Sequence, residues 1–299
     1  MTTLSISFPP DFFKEEVRCN YKITSQMKEV WAVELDLLVR LQKVCEKYNI
    51  EYFADGGTLL GCARHNGFIP WDDDIDIAMT RENYDKFCKI AESEFQYPYF
   101  LQTEKTESGT VFGYAKFCNS DTTMLLKCFE GRNFKYNQGI CIDIFPQDKI
   151  PDDTKEMNYF FTRLQYLKAK GKQFRNRLHN DHGEHNLAKV FLAALVKLMH
   201  IKNFCYFRFE KECQKYNLQN TKYMASISFR PERKIGFKEI SAYKEIEMLP
   251  FEFIKLPCPK NYNQYLSDFY GDWRTFKKGT SFHGNVFFDT EKSYKEYLK

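Results

Sequence analysis

The sequence has no Cys-x-x-Cys pair. Its ten cysteines stand at 19, 45, 62, 88, 118, 128, 141, 205, 213 and 258, spacings that exclude a zinc ribbon or a thioredoxin-type centre. Several, such as Cys45 and Cys141, sit among apolar neighbours as small core residues do. There is no apolar run near the ~20 residues needed to span a bilayer. The longest, Val190 to Met199, is interrupted by Lys197 and reads as a buried helix face. The N-terminus, with Phe8-Pro9-Pro10-Asp11 and then Lys14-Glu15-Glu16, has no signal-peptide apolar core. The expectation is a reducing, cytoplasmic location. An excess of charge of one sign is also lacking: a net +4 gives no argument for a nucleic-acid partner. Internal repeats and low-complexity linkers are absent too.

Aromatics are abundant, with 29 Phe and 19 Tyr against 3 Trp. They read first as core, and second as platforms for sugars or cations. The pattern along the chain divides it into an N-terminal segment 1–25, a mixed α/β core 26–150 and a mostly helical extension 151–299. Trp31, Leu35, Leu38, Leu41, Cys45 and Tyr48 fall at helical spacing and predict a helix over 26–48. Tyr52-Phe53-Ala54 predicts a short strand ended by Asp55-Gly56-Gly57, with Thr58 capping a helix through Arg64. Alternation over Asp74 to Met79 predicts a strand, and Arg81 to Glu94 a helix. Residues 111–117 and 122–128 predict strands joined by a turn at 119–121. The apolar run 139–145 predicts a strand that Pro146 ends. Helices are expected over 154–170, 186–217 and 261–270.

The chemistry concentrates in residues 54–79. In a strand, alternate side chains share a face, so Asp74 and Asp76 point together while Ile75 and Ile77 enter the core. Two carboxylates about 7 Å apart on one face repel unless a cation such as Mg²⁺ or Mn²⁺ lies between them. The competing reading is an acidic strand end facing water, with Asp72 and Asp73 as solubilisers. Gly56-Gly57 would admit a phosphate to backbone N–H groups at a helix N-terminus near Thr58; a plain tight turn is the competing reading. Asp143, alone in an apolar strand, is costly to bury unless it shares the metal or takes a proton from an incoming hydroxyl.

A glycine pair after a strand, an Asp-apolar-Asp-apolar strand and a third Asp on a later strand resemble the nucleotidyltransferase superfamily. Residues 56–61, Arg64-His65 and Gly67-Phe68-Ile69-Pro70-Trp71-Asp72-Asp73-Asp74-Ile75-Asp76 resemble the signature of the LicD/fukutin family. Lys116, Asn119 and residues 139–146 resemble its second block. Tyr265-Leu266, residues 270–273 and His283 resemble its C-terminal block. The resemblance implies an α+β, nucleotidyltransferase-like mixed sheet flanked by helices. It implies a metal-dependent transferase that moves phosphocholine, or a phospho-alcohol such as phosphoribitol, from a CDP-activated donor to a glycan or lipid-linked glycan, releasing CMP. Teichoic acid and lipopolysaccharide are acceptors of that kind.

Other residues are expected to assist. Arg64, His65 and Lys116 would neutralise donor phosphates. Trp71 would stack on a base or face a trimethylammonium group, or else pack under the strand. His179, His182 and His185 recur every third residue, but Asn180, Asp181, Gly183 and Glu184 point to a solvated connection. Lys168, Lys170, Lys172, Arg175 and Arg177 form a basic run. That run is a candidate for an anionic acceptor or for peripheral contact with the inner face of the plasma membrane; a solvated helix end is the alternative. Two rival enzymes remain: a nucleotidyltransferase releasing pyrophosphate, and an Asp-x-Asp glycosyltransferase with a full nucleotide-binding βαβ region before the motif.

Overall fold

The computed structural model describes residues 4–126, 136–179, 203–231, 236–277 and 286–297. A hairpin of β1 (Glu16–Arg18) and β2 (Tyr21–Ile23) leads into α1 (Ser25–Tyr48). The Thr24 hydroxyl accepts the Met27 N–H and starts this helix, and Asn49 ends it in the left-handed region at φ 50°. The predicted face, Trp31, Leu35, Leu38, Leu41 and Cys45, is buried. Then come β3 (Phe53–Ala54), α2 (Gly56–His65), β4 (Asp76–Thr80), α3 (Arg81–Glu94), β5 (Tyr99–Gln102), β6 (Ala115–Asn119), β7 (Thr123–Leu126) and β8 (Ile140–Ile150). Past residue 150 the chain adds α4 (Thr154–His179), α5 (Phe204–Cys213) and α6 (Tyr262–Tyr270). It also adds five short strands: β9 (Tyr223–Ala225), β10 (Lys238–Glu239), β11 (Ile246–Phe251), β12 (Ile254–Pro259) and β13 (Val286–Asp289).

The long strand β8 is the spine of a seven-stranded mixed sheet. On one flank β4 runs parallel to it, with β3 antiparallel beyond. On the other flank β6 covers residues 140–144, with β5 beyond, and β9 covers 148–150, with β10 beyond. Even-numbered residues of β8, Ile142 and Ile144, join the core beneath α1 with Ile77 and Met79. A smaller core packs Phe160, Phe161 and Leu164 of α4 against Tyr206 and Phe209 of α5. Ile150 and Ala225 belong to it as well, so it is continuous with the end of the sheet.

Three local expectations need correction. Pro146 does not end its strand. It falls between the last β6 pair, at Ile144, and the first β9 pair, at Asp148, where that flank of the ladder makes no demand on its missing N–H. The segments around 115 and 124 do not pair with each other: β7 pairs with β13. Thr122 turns the chain away by donating to the Asn119 carbonyl and accepting the Ile140 N–H. The second helix begins at Gly56 rather than Thr58. The expected 186–217 helix falls partly outside the described residues; its described portion is α5 and the turn after it.

Candidate active site

Register places chemistry in a row. Asp76 on β4 is opposite Asp143 on β8, Asp143 is opposite Lys116 on β6, and Lys116 is opposite Gln102 on β5. Partners in register project to the same face, so four adjacent strands present acid, acid, base and amide side by side. All four residues line one cavity of about 710 Å³. Asp74 and Trp71 reach it from the loop before β4, and Gly56 and Gly57 from the start of α2.

The glycine pair has a steric task beside any role with phosphate. A Cβ on Gly56 would lie 2.7 Å from Asp76 Oδ2, and one on Gly57 would lie 2.7 Å from Asp72 Oδ2. Gly56 also holds φ +51°, which disfavours a side chain. The pair therefore lets two carboxylates approach the positive end of α2. Thr58 is buried in the first turn, and its hydroxyl accepts the Asp76 N–H at 2.8 Å. It holds the end of β4 and does not line the cavity.

The acids crowd. Asp72, Asp73 and Asp74 offer oxygens within 4.8 Å of one another. Burial, then the charges of Asp74, Asp143, Asp55 and Asp72, push the Asp76 carboxyl well above its ordinary range. Below them, Glu34 of α1 is fully buried, and neither of its oxygens has a partner among the described residues. Burial, then the charges of Asp74 and Asp73, push its carboxyl well above the usual carboxylate range. An oxygen-only set of mutually repelling carboxylates fits a hard divalent cation such as Mg²⁺ or Mn²⁺.

Lys116 donates to Asp143 Oδ1 at 2.9 Å. Burial opposes its charge, but Asp143 and the Cys141 and Tyr114 side chains keep it protonated well above the ordinary lysine value. The ion pair also compensates the otherwise costly burial of Asp143.

Several expected residues lie elsewhere. Arg64 and His65 end α2, a helix of ten residues, so they sit roughly 10–14 Å along its axis from the glycines. Neither lines the cavity. Arg64 donates to His65 Nε2 and to the Trp273 carbonyl. Burial, then Arg64 and Arg18, lower His65 to about 4. Asn119 is buried in the β6 turn, where its Oδ1 accepts the Asp121 N–H. Lys168 is buried and caps the carbonyls of Phe112, Ser228 and Phe229. Lys170, Lys172 and Arg175 stand on α4 away from the cavity lining, the two lysines exposed. The Arg177 side chain, His182, His185 and His283 lie outside the described residues.

Other residues were missed. Asp55 lines the cavity and receives Lys238 Nζ at 2.5 Å and the Tyr265 hydroxyl at 3.1 Å. Lys238 also reaches Gln147 Oε1 at 3.3 Å. Asp55 was legible as a polar residue ending an apolar strand, but its partners, 183 and 210 positions away, were not. The β3–β4 pair is antiparallel, so the structure before the motif is not the βαβ crossover of the glycosyltransferase reading. Among the described residues no helix is long and apolar enough to cross a membrane.

Comparison with known proteins agrees with this geometry. Over 258 residues, 83% of this chain and 91% of the relative, the sequence is 29% identical to the lipopolysaccharide cholinephosphotransferase LicD of Haemophilus influenzae. Over 40 residues, 13% of this chain and 8% of the relative, it is 45% identical to the ribitol 5-phosphate transferase FKRP of human and of mouse. The model of the LicD/FKTN/FKRP nucleotidyltransferase domain matches residues 49–177, the stretch that contains the glycine pair, the acidic loop and the Asp143 strand. Residues 49–177 thus carry a nucleotidyltransferase domain of the LicD/FKTN/FKRP type.

Proposed function

We propose that the chain transfers a phospho-alcohol, phosphocholine foremost, from a CDP-linked donor to the hydroxyl of a glycan or lipid-linked glycan, with release of CMP. The observation that carries the reading is the convergence of Asp74, Asp76 and Asp143 on one cavity at the N-terminus of α2. The acceptor class rests on the relatives, one named for lipopolysaccharide cholinephosphate transfer and one for ribitol 5-phosphate transfer.

Asp74, Asp76 and Asp143 would hold one or two Mg²⁺ or Mn²⁺ ions, with Asp72 beside them; bound there, the metal supplies charge neutralisation for the diphosphate and the departing CMP. The chain's own groups do the rest. The α2 N-terminus faces the donor phosphates with its N–H groups. Lys116 orients Asp143, which receives the proton of the acceptor hydroxyl. The aromatic sides of the cavity exclude water, which would otherwise compete as acceptor.

The test is a screen of CDP-alcohols with Mg²⁺ for CMP release. Release of pyrophosphate from a nucleoside triphosphate instead would establish the nucleotidyltransferase alternative. CDP-choline should also protect the protein against heat when Mg²⁺ or Mn²⁺ is present, by mass action on the native state. Equal protection in excess chelator would overturn the metal's assigned place between donor and protein.

A further inference from the structure

Beyond the charged row, on the stretch just before β6 and two residues further along β8, the wall of the cavity becomes aromatic. Tyr114, two before Lys116, lies beside Phe145, two after Asp143, with ring centroids 4.7 Å apart and planes at 36°. Phe112 continues the surface at 5.6 Å and 30° from Tyr114. Two further rings stand up from this floor: Phe229 at 76° to Tyr114, and Tyr136 at 87° to Phe112. Phe229 also touches Phe145 at 5.1 Å, tilted by 40°. All five rings line the cavity, and four of them are only half-buried. The result is a corner with an aromatic floor and two aromatic uprights, opening toward the carboxylates.

We propose that this corner is the alcohol subsite of the donor and selects a quaternary ammonium, a trimethylammonium headgroup, over a polyol. The inference rests on the CDP-alcohol reading above. Ring faces carry the negative lobe of the aromatic quadrupole and attract cations within about 6 Å of the centroid. Protein cations already lie that close: Lys116 Nζ is 5.4 Å from Tyr114 and 5.7 Å from Phe112, and the Arg230 guanidinium is 4.8 Å from Phe229. Lys116 is neutralised by Asp143 at 2.9 Å. A trimethylammonium has no N–H to satisfy and gains from bare ring faces. A polyol brings several hydroxyls, and the ring faces of the corner offer them nothing in place of their lost water.

The test is calorimetric titration with CMP, CDP-choline, CDP-ethanolamine and CDP-ribitol in Mn²⁺, on the natural chain and on Phe229→Leu and Phe229→Tyr. CDP-choline should bind about tenfold tighter than CDP-ribitol, with CDP-ethanolamine between them. Phe229→Leu should remove most of that advantage and leave CMP binding unchanged, which also shows that the variant is folded; Phe229→Tyr should restore it. Equal affinity for choline and ribitol donors, with CMP still bound, would overturn the proposal and leave the donor reading standing. Loss of CMP affinity in Phe229→Leu equal to the loss for CDP-choline, with Phe229→Tyr restoring both, would place the nucleobase in the corner and likewise overturn it. Failure of CMP and every CDP-alcohol to bind the natural chain would sink the donor reading, and this proposal with it.

Discussion

Strand β8 carries two buried aspartates five residues apart, Asp143 and Asp148, on opposite faces of the sheet. On the helix side, Asp148 accepts Arg81 Nε at 2.8 Å and Nη2 at 2.6 Å, and Asn217 Nδ2 at 2.8 Å. It is completely buried. On the cavity side, Asp143 has one cation, Lys116, and faces Asp76 in register. Here the acids exceed the bases and the site opens on solvent. One face of the strand has settled its charge within the protein; the other leaves charge for a ligand to settle. Residue type and strand are identical, so the difference lies in what the neighbouring elements bring.

The comparison breaks most sharply if both positions respond alike to neutralisation. Asp76→Asn and Asp143→Asn should each cut turnover by orders of magnitude while the fold survives; Asp72→Asn should be milder. Without divalent ions, Asp76→Asn should also melt at a higher temperature than the natural chain at neutral pH. The folded-state pKa of Asp76 is raised, so its favourable contribution is present at low pH and lost as pH rises through that value. Near-normal turnover in either variant would remove that residue from the site. Asp148→Asn should do the reverse and destabilise the fold by about 3–5 kcal/mol, since it leaves Arg81 buried without its charge partner. CMP release per folded molecule should stay close to normal. Denaturant titration beside the assay distinguishes the two patterns.

A smaller effect comes from His65, at the far end of α2. Its folded-state pKa, near 4, lies below its ordinary 6.5. The stability it contributes is present above pH 6.5 and is lost as pH falls through about 4. His65→Asn should flatten the acid limb of the melting curve between those values. An unchanged limb would place the titration elsewhere. Smallest is the basic run on α4. Lys170→Ala with Arg175→Ala should raise the acceptor KM at low salt and leave slow donor hydrolysis unchanged. The effect should fade as salt screens exposed charge beyond about 8 Å. An unchanged KM would return the run to solvated surface, and a collapse of donor hydrolysis would assign it to donor binding.

What the sequence made legible follows the range of the interactions. Helix α3 begins and ends where its spacing predicts, and α1 within a residue of it, because a local period and a local cap set both. Asp76 and Asp143 could be read because each interrupts an apolar pattern at its own position, and Asp74 because it closes the acidic run just before that pattern. The run through Pro146 could not, since it depends on two strands from distant parts of the chain dividing one flank of β8 between them. Arg64 and His65 looked close to the glycines in sequence, but a helix lies between them. The aromatic corner was half visible, in the alternation of Phe112, Tyr114 and Lys116. Its upright Phe229 comes from more than a hundred residues later.

The bond from Lys238 to Asp55 has a consequence for how this chain can be divided. The family-matched stretch stops at 177, yet Asp55, inside it, is neutralised by a lysine on β10 and held by a tyrosine on α6. The late segment behaves as a keystone: β9 and β10 complete the sheet's edge, and Lys238 locks the arch over the carboxylates. A chain cut after residue 177 would therefore keep the glycine pair and the three aspartates and lose the closure. Asp55 would face the other acids with no counter-charge, and the exposed flank of β8 would be a bare strand edge prone to self-association. Any exchange of segments in this chain must move these two distant pieces together to keep the closure.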